Sequence, residues 1–151
     1  MDVYTQRRQK IVQYEQFINE KLKPDLKKVL DARDKIYERI SKYLVLQNNI
    51  KLVQENKINH MSTLINLASN FYVQSKVNDT SKIILCVGLD VYLEFTLEDA
   101  IEWITKKTET LTKEAEEYTQ KSLDIKADLR IVSEGIFELM RLIQNKRNKN
   151  Y

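Results

Sequence analysis

The stretch "VGLDVYLEFTLEDA" (Val87–Ala100) decides how this chain folds. Val91, Leu93 and Phe95 alternate with Tyr92 and Glu94, the period-two pattern of a strand with two unlike faces. Gly88-Leu89-Asp90 punctuates the chain just before it. Thr96, followed three residues later by Asp99, matches the start signal of a helix. A strand therefore runs into a helix with no linker between them.

Reading upstream, "KIILCV" (Lys82–Val87) supplies a second strand, and the two make a hairpin across the Gly88 turn. Before it lies "STLINLASNFYVQSKV" (Ser62–Val77), two β-favouring runs around a small polar turn at Ala68-Ser69-Asn70. "NDTS" (Asn78–Ser81) is a polar connector. Residues 60–96 thus predict two successive β-hairpins.

Reading downstream, every seventh residue from Leu97 is apolar: Leu97, Ile104, Leu111, Tyr118, Ile125, Val132 and Leu139. An interleaved set contains Ile101, Thr108, Ala115, Ser122, Leu129, Ile136 and Ile143. The spacing of four and three is that of a coiled-coil seam and predicts one helix over 97–145. The N-terminal half repeats the pattern with Leu22, Val29, Ile36, Tyr43 and Ile50, predicting a helix over 5–59. Leu26 and Ile40 accompany that seam, as do the polar Arg33 and Gln47. Leu30, Tyr37 and Leu44 form a third track and widen the stripe. Ile11, Tyr14, Phe17 and Ile18 continue it upstream with a shifted phase. Pro24 stands between the two phases, either kinking one helix or opening a second one from its first turn.

Two helices of this length, each roughly 75 Å, can fold back on each other and bury their seams. The predicted fold is mainly α with a small β insert: an antiparallel two-helix coiled coil with two β-hairpins between the helices, in one domain. Lone hairpins are not stable in water, and their edges present unpaired N–H and C=O groups. Pairing with hairpins of other chains satisfies both needs. Ile83, Leu85, Val87, Val91, Leu93 and Phe95 are the interface residues this reading selects, with Trp103 packing helix against sheet.

Composition agrees. The 151 residues include two glycines and one proline, and 31% are charged, which favours long helices over a mixed compact fold. A formal charge of +3 is too small to predict direct nucleic-acid binding. The basic runs Gln6–Lys10 and Asn145–Asn150 read as solvated helix ends, the alternative being a cationic rim for acidic clients or nucleic acid. Tyr4, Tyr14 and Phe17 read as stripe residues, the alternative being apolar client contacts. With no signal-peptide core and no apolar run near 20 residues, a soluble intracellular protein is expected, with no membrane contact. His60 and Cys86 are single representatives of their types. A metal site or an activated thiol needs several convergent groups, so neither cofactor, metal nor catalysis is expected.

The order helix, two hairpins, helix resembles α-type prefoldin subunits. "YEQFINEKLKPDLKKVLDARDKIYERISKYLVLQNNIKLVQE" (Tyr14–Glu55), "NFYVQSKVNDTSKI" (Asn70–Ile83) and "DIKADLRIVSEGIFEL" (Asp124–Leu139) resemble the unconventional branch called ubiquitously expressed transcript, UXT. Pro24 is a departure from that branch's first helix. The resemblance implies a non-catalytic co-chaperone and scaffold subunit in a heterohexamer of prefoldin and prefoldin-like subunits. It further implies an AAA+ ATPase co-chaperone assembly and RNA polymerase or transcription regulators as partners, corepressor-type activity, and residence in nucleus and cytoplasm. The alternative is a conventional prefoldin α subunit delivering unfolded actin and tubulin to the cytosolic chaperonin.

Overall fold

A computed structural model describes residues 3–147, with side chains for 5–145. The elements run α1 (Val3–Phe17), a π-helical turn (Ile18–Leu22), α2 (Lys23–Glu55), β1 (Met61–Ala68), β2 (Phe71–Val77), β3 (Lys82–Gly88), β4 (Val91–Thr96) and α3 (Leu97–Arg147). The chain forms two compact units. One holds residues up to Tyr37 and from Lys113 onward; the other is Glu38–Thr112. The expected architecture, two long helices flanking two antiparallel strand pairs, is the one seen.

Pro24 neither breaks the first helix nor starts a new one. The chain stays helical through it, and the turn just before it widens: the Lys23 N–H bonds to the Ile18 carbonyl, five residues back. A proline ring crowds the carbonyl four residues earlier and offers it no donor. The wider turn accommodates that mismatch, and its extra residue accounts for the phase shift between Ile11 and Leu22, both of which are buried.

The first helix ends at Glu55, short of the expected 59. Lys57 takes a left-handed conformation (φ 47), its N–H bonds to the Gln54 carbonyl, and the Ile58 N–H bonds to the Val53 carbonyl. This is the Schellman closure, usually marked by glycine. A lysine in that place hides the stop from a sequence reading. His60, expected at the helix end, instead sits exposed just before β1.

The seam positions differ in burial. Leu22, Ile36, Ile50, Ile104 and Leu111 are buried, and Val29, Tyr43, Leu97, Tyr118, Ile125, Val132 and Leu139 are half-buried. The polar seam positions of α3 satisfy themselves on their own backbone. Thr108 Oγ1 donates to the Ile104 carbonyl at 3.0 Å, and Ser122 Oγ, nearly sealed from solvent, donates to the Thr119 carbonyl at 2.7 Å. Gln47 Nε2 donates to Thr105 Oγ1 at 2.9 Å across the helix pair. Arg33 lays its guanidinium over the Tyr37 ring at 5.9 Å. In the third track Leu30 is half-buried, but Tyr37 and Leu44 remain exposed, so two helices do not use the whole stripe.

The core of the Glu38–Thr112 unit joins helix to sheet. Ile50 of α2, Leu85 of β3, and Ala100 and Ile104 of α3 meet there, ringed by Tyr43, Leu46, Ile83, Phe95, Leu97, Ile101 and Trp103. Trp103 stands edge-on to Tyr43 at 5.9 Å and tilted against Phe95 at 6.2 Å. The β4-to-α3 junction closes as expected. Thr96 Oγ1 donates to the Asp99 carboxylate at 2.8 Å and accepts the Asp99 N–H at 3.2 Å.

Ile104→Ala is expected to destabilise the chain by about 2–4 kcal/mol, since its side chain is fully enclosed. Ile131→Ala, on an exposed position, should shift stability by about 0.5 kcal/mol or less. Urea unfolding followed by circular dichroism compares them. By the same measurement, Thr96→Ala should cost about 1 kcal/mol through the lost cap.

Candidate functional site

The two strand pairs carry the chemistry that needs a partner. β1 pairs with β2 and β3 with β4, and among the described residues neither ribbon pairs with anything else. Each ribbon therefore presents two open edges of backbone donors and acceptors.

The ribbons are built alike. In the first, Asn66 pairs with Tyr72 and Ala68 with Phe71, leaving Leu67 as an extra residue. In the second, Cys86 pairs with Tyr92 and Gly88 with Val91, leaving Val87 in the same role. Both turns have two left-handed central residues, Ser69 and Asn70 (φ 46 and 65) and Leu89 and Asp90 (φ 50 and 58). That geometry matches the natural twist of a hairpin. The bulges sharpen the twist at each tip. Gly88, at φ 128, holds a conformation that a side chain would strain.

The ribbons differ in what lies beneath them. In the second, Ile83 faces Phe95 and Leu85 faces Leu93 across the strands. The chain's own helices cover the base of that face: Leu85 is buried, and Ile83 and Phe95 are half-buried in the same core. This corrects the expectation that all six selected residues face neighbouring chains. Leu85, Ile83 and Phe95 face Ile50, Ala100, Ile104 and Trp103 of their own chain, because α3 begins directly at the end of β4 and brings its first turns under the sheet. Of the rest, Val91 and Leu93 stay exposed and Val87 is half-buried.

Residues outside the selected set carry more open apolar surface. On the outer face of the second ribbon, Ile84 is 68% exposed and Tyr92 64%. Among the described residues, the apolar side chains of the first ribbon are largely uncovered on both faces. Leu64, Leu67, Phe71 and Tyr72 are all more than half exposed, and Met61, Ile65 and Val73 are open as well. The signal was present in the sequence as a failure of alternation: Leu64-Ile65 and Phe71-Tyr72-Val73 put apolar groups on both faces, as in strands buried on both sides. An apolar surface of this density marks a site of association.

Polar contacts fix the ribbons without blocking them. Lys82 Nζ lies 2.6 Å from a Glu94 carboxylate oxygen across the second ribbon. The hydrogen bond to Glu94 holds the Lys82 amine above the usual lysine range. A raised lysine contributes below its unfolded pKa and is lost only as pH climbs past the folded one, so this pair is intact through the neutral range. In the connector, the Asp79 carboxylate accepts the Ser81 N–H at 2.9 Å, which lowers its pKa, and Thr80 donates to the Ile58 carbonyl. The second bond ties the connector to the segment leaving α2.

Other candidates hold less. Cys86 is exposed, and among the described residues no group of three or more metal-ligating side chains converges. No described helix is long and apolar enough to cross a membrane. At the other unit, Thr5, Arg8, Gln9, Ile11, Val12, Gln13, Met140, Ile143 and Gln144 line an open groove of about 990 Å³. Tyr14 and Phe17, on α1, are exposed. The side chain of Tyr4 and the end of the basic run Asn145–Asn150 lie outside the described residues.

Leu89 is fully exposed at a tip and left-handed, a conformation that costs an ordinary side chain roughly 1–2 kcal/mol. Leu89→Asn should raise the stability of the isolated chain by about 0.5–1 kcal/mol, read from its thermal midpoint, because asparagine tolerates that region.

Comparison with known proteins bears on this surface. A family model described as "Prefoldin subunit" matches residues 22–134. Protein UXT of Homo sapiens is 41% identical over 134 residues, covering 89% of this chain and 85% of that protein. The Protein UXT homolog of Dictyostelium discoideum is 43% identical over 129 residues, covering 85% of this chain and 80% of its own length. Prefoldin subunit 5 of Homo sapiens is 38% identical over 53 residues, 35% of this chain and 34% of that protein. Among solved structures, a chain of filamentous PFD from Methanocaldococcus jannaschii superposes with a TM-score of 0.56 at 16% identity. It covers 75% of this chain and 97% of that one, and shares its fold.

Proposed function

This chain belongs to the prefoldin family, in its UXT branch, and from that premise we propose that it is a non-catalytic co-chaperone and scaffold subunit of a heterohexameric prefoldin-like complex. One observation carries the reading. The first ribbon is apolar on both faces and open at both edges, which is the condition of a strand pair completed by other chains. Ribbons donated by neighbouring prefoldin and prefoldin-like subunits supply both the missing hydrogen bonds and the missing apolar cover.

The wider role extends the same proposal. It places the complex with an AAA+ ATPase co-chaperone assembly in building large machines such as RNA polymerases. It adds corepressor-type work with transcription regulators, in nucleus and cytoplasm. What supports it is the likeness of Tyr14–Glu55, Asn70–Ile83 and Asp124–Leu139 to the UXT branch. The other reading, a conventional prefoldin α subunit serving actin and tubulin, has the weaker support. Likeness to prefoldin subunit 5 spans about a third of the chain, whereas likeness to UXT proteins spans most of it.

Affinity purification of the tagged chain, with native mass spectrometry of what it brings down, is expected to return prefoldin-type β subunits in fixed stoichiometry. Leu64→Asp with Tyr72→Asp should abolish that recovery while leaving helix content within about 10% of the native chain, since neither residue touches the core. Full recovery of the complex by this double variant would contradict the ribbon-pairing mechanism. A native chain that recovers no prefoldin-type subunit would contradict the function itself.

A further inference from the structure

The chain contains one proline and two glycines. Gly88 belongs to a ribbon turn. Pro24 and Gly135 both fall inside long helices of the other unit. Two grooves set the level of those helices. Ile11 and Ile143 line one; Val29 and Ile125 line the other. From Ile11 to Val29, and from Ile143 to Ile125, the chain advances eighteen residues on each helix. Midway lie Glu20 and Glu134. The π turn Ile18–Leu22 is thus level with residues 132–136, and Gly135 is among them.

Packing does not require the glycine. A Cβ added at Gly135 would meet nothing within 4 Å, and its backbone is helical. Glycine in a helix interior is about 1 kcal/mol worse than alanine, so α3 is weakened there with no steric return. Across from it, Pro24 denies the first helix one N–H, and the π turn carries longer-range hydrogen bonds. Of the three helix breakers in 151 residues, two fall within about two turns of one another along the facing pair.

We propose that the π turn, Pro24 and Gly135 form a compliant joint in this helix pair. Residues 3–17 and 137–147 move about it relative to the adjoining parts of the same unit. The groove that includes Ile11, Val12, Met140 and Ile143 among polar residues lies on the moving side, so the joint adjusts how widely it opens. Sharp bends in helices arise at prolines, glycines and π turns, and here all three coincide.

Hydrogen exchange by mass spectrometry on the full-length chain tests this. In the native protein, amides of 14–24 and 132–139 are expected to exchange faster than those of 26–36 and 118–128. Gly135→Ala should slow 132–139 about fivefold, the helix-propensity ratio of the two residues. It should also slow 14–24 on the facing helix, because a joint couples the two. Ser133→Ala, at an exposed neighbouring position, should leave 14–24 unchanged. Slowing confined to α3 in Gly135→Ala would show two unrelated weak points and overturn the proposal. So would native exchange over 14–24 and 132–139 no faster than in the comparison segments.

Discussion

Leu85 meets Ile50, Ala100 and Ile104 where the two long helices end and the sheet begins. Helices on their own offer narrow seams, and ribbons on their own do not persist in water. This contact lets each support the other. It closes the mouth of the helix pair and gives the second ribbon a floor. Burying side chains of this size contributes about 1.5–3 kcal/mol each. The Thr96 cap directs α3 under β4 with no intervening loop, so the floor is placed by chain connectivity as well as by hydrophobicity.

The first ribbon shows what the same design lacks without such a floor. It repeats the turn and bulge of the second, yet its apolar groups face solvent on both sides. An isolated protein gains nothing from this arrangement. A subunit gains an apolar surface to offer its neighbours, while the second ribbon rests on its own helices. Division of labour between two near-identical ribbons, one inward and one outward, is the structural basis of the scaffold reading.

Along the helices of both units the governing principle is economy of side chains. Thr108, Ser122, Gln47 and Arg33 occupy seam or near-seam positions where apolar residues would pack more tightly. Each finds a partner: a carbonyl of its own helix, a threonine across the pair, or an aromatic ring. No buried side-chain nitrogen or oxygen among the described residues is left without a hydrogen bond. Polar interruptions are therefore compatible with long continuous helices.

Periodicity made the elements legible. Seven-residue spacing identified the helices and two-residue spacing β4, because a side chain's direction follows from its place along a helix or strand, and β-favouring runs around polar turns identified the other strands. Tertiary structure decided the remainder. Whether Leu85 and Phe95 face a neighbouring chain or their own helices depends on where α3 passes, which alternation along β4 cannot specify. The fate of Pro24 turned on whether the preceding turn could widen, and the end of α2 on a lysine adopting a left-handed conformation. Apolar residues on both faces of β1 and β2 are written in the sequence. Their meaning emerged only once the fold left them uncovered, since exposure is a property of what surrounds a residue and not of the residue itself.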